Sequence, residues 1–157
     1  LIDKEPVKRV QKILKQFETN SEVVVLKSSA RTALEAAKSL NCEVGAIVKS
    51  LLFKTEQNFI LCLVAGDKKA SLNKIKKILN MKDISMASAD DVKNVTGFTI
   101  GGVSPIGHLN KIEILIDLSL KRFDELFAAA GHPNCIFKIS FEDLSKITNG
   151  SIIELVE

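Results

Sequence analysis

Tryptophan and tyrosine are absent from this chain, and histidine occurs only at positions 108 and 132. Any stacking of single-stranded bases would therefore rest on Phe, His or Arg. With no ligand cluster around His108 or His132, the sequence predicts no metal site. Cys42, Cys62 and Cys135 are odd in number and widely spaced. They match no zinc or redox motif, and the odd count argues against a disulfide framework. They are read as reduced, partly buried thiols of a cytoplasmic protein. The longest apolar runs are strand-sized and broken by charge, so no transmembrane helix and no membrane partner are expected. The N-terminus carries no secretory pattern, and because Leu1 is not a natural start, a few residues are expected to precede it.

What is present suits one domain with a sizeable core: 157 residues, 46% hydrophobic and 26% charged. The net charge of +3 is far from the balance of a dedicated DNA-binding domain, and no DNA partner is expected. Lysine is nevertheless clustered. Lys68, Lys69, Lys74, Lys76, Lys77 and Lys82 crowd one stretch, while Lys8, Arg9, Lys12 and Lys15 decorate the first helix. The bland reading is solvated helix faces. The sharper one is a footprint for a phosphate backbone, with Lys74, Lys76 and Lys77 as its candidates.

Periodicity predicts an amphipathic helix over 4–18, with Val7, Val10, Ile13, Leu14 and Phe17 on one stripe. A strand is expected over 22–27 and a helix over 32–40, opened by a Thr32–Glu35 capping box. Residues 45–55 and 58–65 read as a hairpin of two strands apolar at nearly every position, covered on both faces. Helices over 71–80, 89–95 and 141–147, a short strand near Ile84, and strands over 111–117, 135–139 and 151–156 complete the pass. Segment 119–130 is ambiguous. Helix propensity favours its Leu120, Phe123, Leu126 and Phe127, but the turn-like Gly131-His132-Pro133-Asn134 allows a hairpin with a strand over 125–130. Strands and helices intermix without a strict βαβ rhythm, so the fold class is a mixed α/β (α+β) domain.

Two features point to chemistry. Four of the eight glycines fall in Gly97-Phe98-Thr99-Ile100-Gly101-Gly102-Val103-Ser104-Pro105-Ile106-Gly107. Such a loop lets a ligand approach the main chain and can offer it the N–H groups of Gly102, Val103 and Ser104. It matches neither the Walker nor the dinucleotide spacing, and a plain tight turn is the alternative. Lys49 stands in the apolar run Gly45–Phe53, sharing a strand face with Ile47, Leu51 and Phe53. An ammonium there is costly without an anionic client, so it is read as aimed into a pocket that handles a phosphate. Ser104 lacks an adjacent base, which favours a backbone-positioning role over a nucleophile. His108 is expected on a surface loop. His132 is read as either a turn residue or a pocket wall, and Asp117 as either a catalytic carboxylate or the cap of the next helix.

Taken in order, Ile47-Val48-Lys49-Ser50-Leu51, the Gly97–Gly107 loop, Gly131-His132-Pro133 and Glu142-Asp143-Leu144 resemble the YbaK/prolyl-tRNA synthetase-associated domain family. The similarity spans about residues 20–157 as a single editing domain over 1–157, with the helix of residues 1–20 packed on it. The resemblance implies a mixed, curved sheet flanked by helices, and it favours the hairpin reading of 125–139. It implies hydrolysis of the ester of mischarged tRNA, mostly tRNA for proline, without a cofactor. Lys49 would contact the terminal adenosine end, and Gly101, Gly102, Val103, Ser104 and Pro105 would hold the aminoacyl group beside Ser50, Gly131 and His132. Prolyl-tRNA synthetase is the expected protein partner.

Departures leave the amino acid open. Cysteine-specific relatives carry an aspartate where this chain has Ile136. Gly131-His132 resembles alanine-specific relatives, which follow the lysine with asparagine rather than Ser50. An aminoacyl ester is already activated, so positioning with an oxyanion site would suffice. A second, smaller pocket would remove residues that a synthetase cannot exclude by binding alone. The alternative is a non-catalytic tRNA- or synthetase-binding module of the same fold.

Overall fold

The computed structural model describes residues 1–157. Its five α-helices are α1 (Glu5–Gln16), α2 (Ala33–Leu40), α3 (Leu72–Leu79), α4 (Ala89–Thr96) and α5 (Phe141–Thr148). Its eight strands are β1 (Val24–Val25), β2 (Ile47–Lys54), β3 (Phe59–Ala65), β4 (Ser85–Met86), β5 (Glu113–Asp117), β6 (Leu126–His132), β7 (Cys135–Ile139) and β8 (Ser151–Ile153). Helix boundaries follow local chemistry. At α2 the Thr32 hydroxyl accepts from the Glu35 N–H at 3.1 Å, while the Glu35 carboxylate accepts from the Thr32 N–H at 3.2 Å. Helices α2, α3 and α5 all stop at an asparagine in the left-handed region: Asn41, Asn80 and Asn149.

The strands form one mixed sheet in the order β1-β7-β6-β2-β3-β5-β8. β2 pairs antiparallel with β3 from Val48 to Lys54. Its other edge is shared. β6 runs parallel to it at Ile47 and Val48, and β4 pairs antiparallel at Phe53 and Lys54. Between those two contacts, Lys49 to Leu51 face a gap in the sheet.

Alternation along β2 and β3 sends successive side chains to opposite faces, and both faces are covered, as the apolar runs require. Val48, Leu52, Leu61 and Leu63 join the larger core with Val7, Val10 and Leu14 of α1 and Phe137 of β7. Phe53, Ile60, Cys62 and Val64 join a second core with Ile75 of α3.

Two strand bounds need correction and two open readings are settled. The strand expected over 22–27 is paired only at Val24–Val25, against Ile136 and Cys135. Segment 119–130 takes the hairpin reading that the resemblance favoured: after the 3-10 turn Leu118–Arg122, β6 and β7 pair antiparallel. Its apolar side chains fill the core better from a strand, where Leu126, Ala128 and Ala130 alternate inward. Strand 151–156 shortens to β8 and an isolated bridge from Val156 to Ala70. Asp117 is a cap, not a catalytic group: its buried carboxylate accepts from the N–H and hydroxyl of Ser119 and, at 2.7 Å, from the Leu155 N–H.

Candidate active site

The gap beside β2 opens into a cavity of about 370 Å³. Its walls come from the turn before α2 and α2 itself, the middle of β2, β4, the glycine loop and the β6–β7 hairpin. Of its 24 lining residues 18 are hydrophobic, so the few polar groups decide what binds. Those with side chains of consequence are Arg31, Thr32, Lys49, Ser50 and Cys135. No carboxylate and no histidine is among them.

Lys49 lies where the strand pattern put it, half-buried on the cavity wall. Its ammonium donates to the carbonyl oxygen of Lys68, which fixes the long side chain at its tip. Burial lowers its pKa from the ordinary lysine value, opposed by the negative charge of Asp67. Asp67 is itself held in place by two hydrogen bonds from the Arg122 guanidinium at 2.7 and 3.0 Å. Next to Lys49, the Ser50 hydroxyl is a buried side-chain oxygen with no hydrogen-bond partner. An unsatisfied buried hydroxyl costs about 1–3 kcal/mol. At a cavity wall it stands ready for a ligand.

The glycine loop divides its duties. Ile100, Gly101 and Val103 line the cavity. Gly102 does not: its N–H closes a turn onto the Thr99 carbonyl at 2.9 Å, and a Cβ there would lie 2.9 Å from the backbone of His132. Its missing side chain serves the close approach of loop and β6. Ser104 is fully buried, its hydroxyl accepting from the Ile106 N–H and its carbonyl from His108 Nε2–H at 2.7 Å. Pro105 is buried beside it. Gly131 and His132 lie outside the cavity wall. His132 Nδ1 accepts from the Asn134 N–H at 3.0 Å, closing the hairpin turn.

Cys135 and Ile136 reach the cavity from β7. Burial raises the Cys135 pKa, so at neutral pH this is a protonated thiol rather than a nucleophile. Lys74, Lys76 and Lys77 sit on α3, away from the cavity. Lys74 is engaged with Glu154 at 3.0 Å and the Val156 carbonyl at 2.6 Å.

The sequence reading missed two residues. His108, expected on the surface, has its ring edge against Phe98 and its Nε2–H on the loop. Arg31 lies across Gly101 at the cavity mouth. The signal for Arg31 was faint: a cation directly before a helix cap is common on any surface.

Residues 27–147 match the family model for the aminoacyl-tRNA editing domain. The chain belongs to the aminoacyl-tRNA editing domain family. The matched segment runs from before Arg31 to α5 and contains every cavity-lining residue, while α1 lies outside it. Among relatives of this editing domain is the uncharacterized protein YwhH of Bacillus subtilis (strain 168), 32% identical over 143 residues and 90% of each chain. A proline–tRNA ligase of Kosmotoga olearia is 31% identical over 121 residues, covering 77% of this chain but only 19% of the ligase. A solved structure described as a proposed trans-editing enzyme for prolyl-tRNA synthetase superposes with a TM-score of 0.92, at 35% identity over 98% of both chains. No helix of the editing domain is long and apolar enough to cross a membrane.

Proposed function

We propose that this editing domain is a trans-acting aminoacyl-tRNA deacylase that hydrolyses the ester of mischarged tRNA. The observation that carries the reading is the meeting of Lys49, Ser50 and the main chain of Gly101 and Val103 on one largely apolar cavity. The amino acid attached to the tRNA 3′ end enters this cavity, and the terminal adenosine lies at its mouth beside Lys49. Water attacks the ester carbonyl and the tetrahedral oxyanion is held by main-chain N–H groups of Gly101 and Val103. The bond to the ribose oxygen then breaks, leaving a free amino acid and a tRNA with its hydroxyl restored.

Gly102, Ser104, Pro105, Gly131 and His132 act here by shaping the loop and its seat. With no carboxylate or histidine on the wall, the proton of the attacking water is relayed through the substrate's vicinal hydroxyl, or through solvent, to the departing ribose oxygen. The ester is activated enough for positioning to supply the rate. A small apolar cavity selects small amino acids such as cysteine or alanine on tRNA for proline, the residues that a synthetase discriminates poorly. Lys74, Lys76 and Lys77 extend the contact to the tRNA backbone, the work takes place in the cytoplasm, and prolyl-tRNA synthetase is the partner that supplies the tRNA.

A panel of mischarged tRNAs tests this. Wild-type protein is expected to release at least one small amino acid from tRNA for proline, and Lys49→Ala to abolish release while the melting curve stays that of a folded protein. Tight tRNA binding with release no faster than in buffer would instead identify a non-catalytic binding module.

A further inference from the structure

The three arginines of this chain have different fates. Arg9 donates to the carbonyls of Gly107 and Gly97 at 2.9 and 3.1 Å. Arg122 is forked onto Asp67. Arg31 alone joins none of the ion pairs and donates no hydrogen bond. The carboxylate nearest along its own turn, Glu35, is occupied in the α2 capping box.

Arg31 is exposed, yet its stem packs on the glycine loop. Its stem crosses Gly101 so closely that a Cβ on that glycine would lie 2.6 Å from Arg31 Cγ and 3.3 Å from Nε. Both residues line the cavity. The stem therefore rests on the loop that forms the wall, and the exposed guanidinium stands at the mouth.

The charge around it is one-sided. The cavity lining holds two cations, Arg31 and Lys49, and no acid. Lys49 is partly compensated, its ammonium spent on the Lys68 carbonyl and its charge supported by Asp67. Arg31 has no such compensation. A planar guanidinium with all its donors unspent, over a cavity free of carboxylates, suits a phosphate, which it can grip through two parallel hydrogen bonds. The adjoining rim is apolar: Ile100 and Met86 are 60% and 59% exposed and both reach the cavity. Such a rim offers a base or ribose something to cover while the phosphate turns toward Arg31.

We propose that Arg31 is a phosphate-binding residue at the cavity mouth and takes the 5′-phosphate of a nucleotide whose sugar enters the cavity. In the deacylase reading, on which the identity of that nucleotide rests, this is the phosphodiester preceding the terminal adenosine of the tRNA. Arg31 then sets the depth at which the ester sits against Gly101.

The test compares adenosine 5′-monophosphate with adenosine as ligands of the intact protein, by calorimetry or NMR titration. Wild-type protein should bind the monophosphate about tenfold or more tightly than the nucleoside, the scale of charge-assisted hydrogen bonds. Arg31→Gln should erase that preference, leave adenosine affinity within about twofold, and melt at the wild-type temperature. Arg31→Lys should keep part of the preference, and Lys49→Met should keep most of it. The proposal is overturned if wild-type protein binds the two ligands equally or binds neither at millimolar concentration, or if Arg31→Gln retains the gap. These outcomes are separable from the deacylase reading. A phosphate preference lost in Arg31→Gln together with no release from any mischarged tRNA would refute hydrolysis alone. Brisk release with an unchanged preference in Arg31→Gln would refute the phosphate site alone.

Discussion

The glycine loop has a back and a front, and they are built on opposite rules. At the back, against α1, the charged and ring N–H donors are spent on loop carbonyls. Arg9 bridges the Gly97 and Gly107 carbonyls and lies 4.9 Å above the centre of the Phe98 ring, and His108 closes on the Ser104 carbonyl. At the front, Arg31 and the Ser50 hydroxyl face the cavity without partners. A site held to catalytic tolerance needs its support saturated and its working face left unsatisfied. Here the loop stands between the two, with the N-terminal helix as its support, although α1 lies outside the matched family segment.

The comparison breaks most visibly at two glycines that share a left-handed backbone, Gly131 with φ +93° and Gly101 with φ +96°. A Cβ on Gly131 would lie 2.9 Å from the Pro6 carbonyl carbon and oxygen, main-chain atoms of α1 that cannot step aside. On Gly101 it would meet only the flexible Arg31 stem. Strain from the backbone conformation is common to both, so the difference isolates the seat of α1. Gly131→Ala is expected to cost about 3 kcal/mol in urea denaturation and Gly101→Ala about 1 kcal/mol. Equal losses would mean that α1 is not seated on the hairpin as described.

Arg9→Met comes next in size. The stem keeps its place over Phe98, but two carbonyls lose a charged donor, an expected loss of about 2 kcal/mol. Amides of residues 97–107 should exchange faster with solvent, and in the proposed deacylase kcat should fall about tenfold at nearly constant KM, because the cradle is misplaced rather than removed. Arg9→Lys should recover part of both. A stability loss with unchanged loop exchange and unchanged kcat would make Arg9 a purely structural residue.

Much of this arrangement was legible from composition and spacing, and the exceptions share a cause. The Thr32–Glu35 box, the helix stripes and the both-faces-buried β2–β3 hairpin are local or periodic signals, and each appears in the fold. Lys49 was conspicuous because a charge inside an apolar run has few reasons to exist. The glycines misled in part. Their density implied room for a ligand, but Gly97, Gly107 and Gly131 make room for α1, and Gly102 for β6. A missing Cβ reports close approach without saying of what. In segment 119–130 local propensity alone points to a helix and yields to the pairing of β6 with β2 and β7, the hairpin that the family resemblance favoured. Arg31 and His108 were unreadable because their importance lies in partners remote in sequence, or in having none.

The smallest expected effect sharpens the back of the loop by pH. Burial, first, and the nearby positive charge of Arg9 lower the His108 pKa from its ordinary 6.5, against the opposing pull of the Ser104 carbonyl. The ring is thus kept neutral in the fold at a pH where the unfolded chain already takes up a proton. Between the folded and unfolded values the unfolded state binds more protons, so stability declines as pH falls below 6.5 toward the folded pKa and is fully retained above it. His108→Gln keeps an N–H for the Ser104 carbonyl and removes the titration. Urea midpoints measured from about pH 7 to about pH 5 should therefore drop less steeply for this variant than for wild type. Parallel slopes would place His108 in water rather than against Phe98, and the saturated back of the loop would lose one of its members.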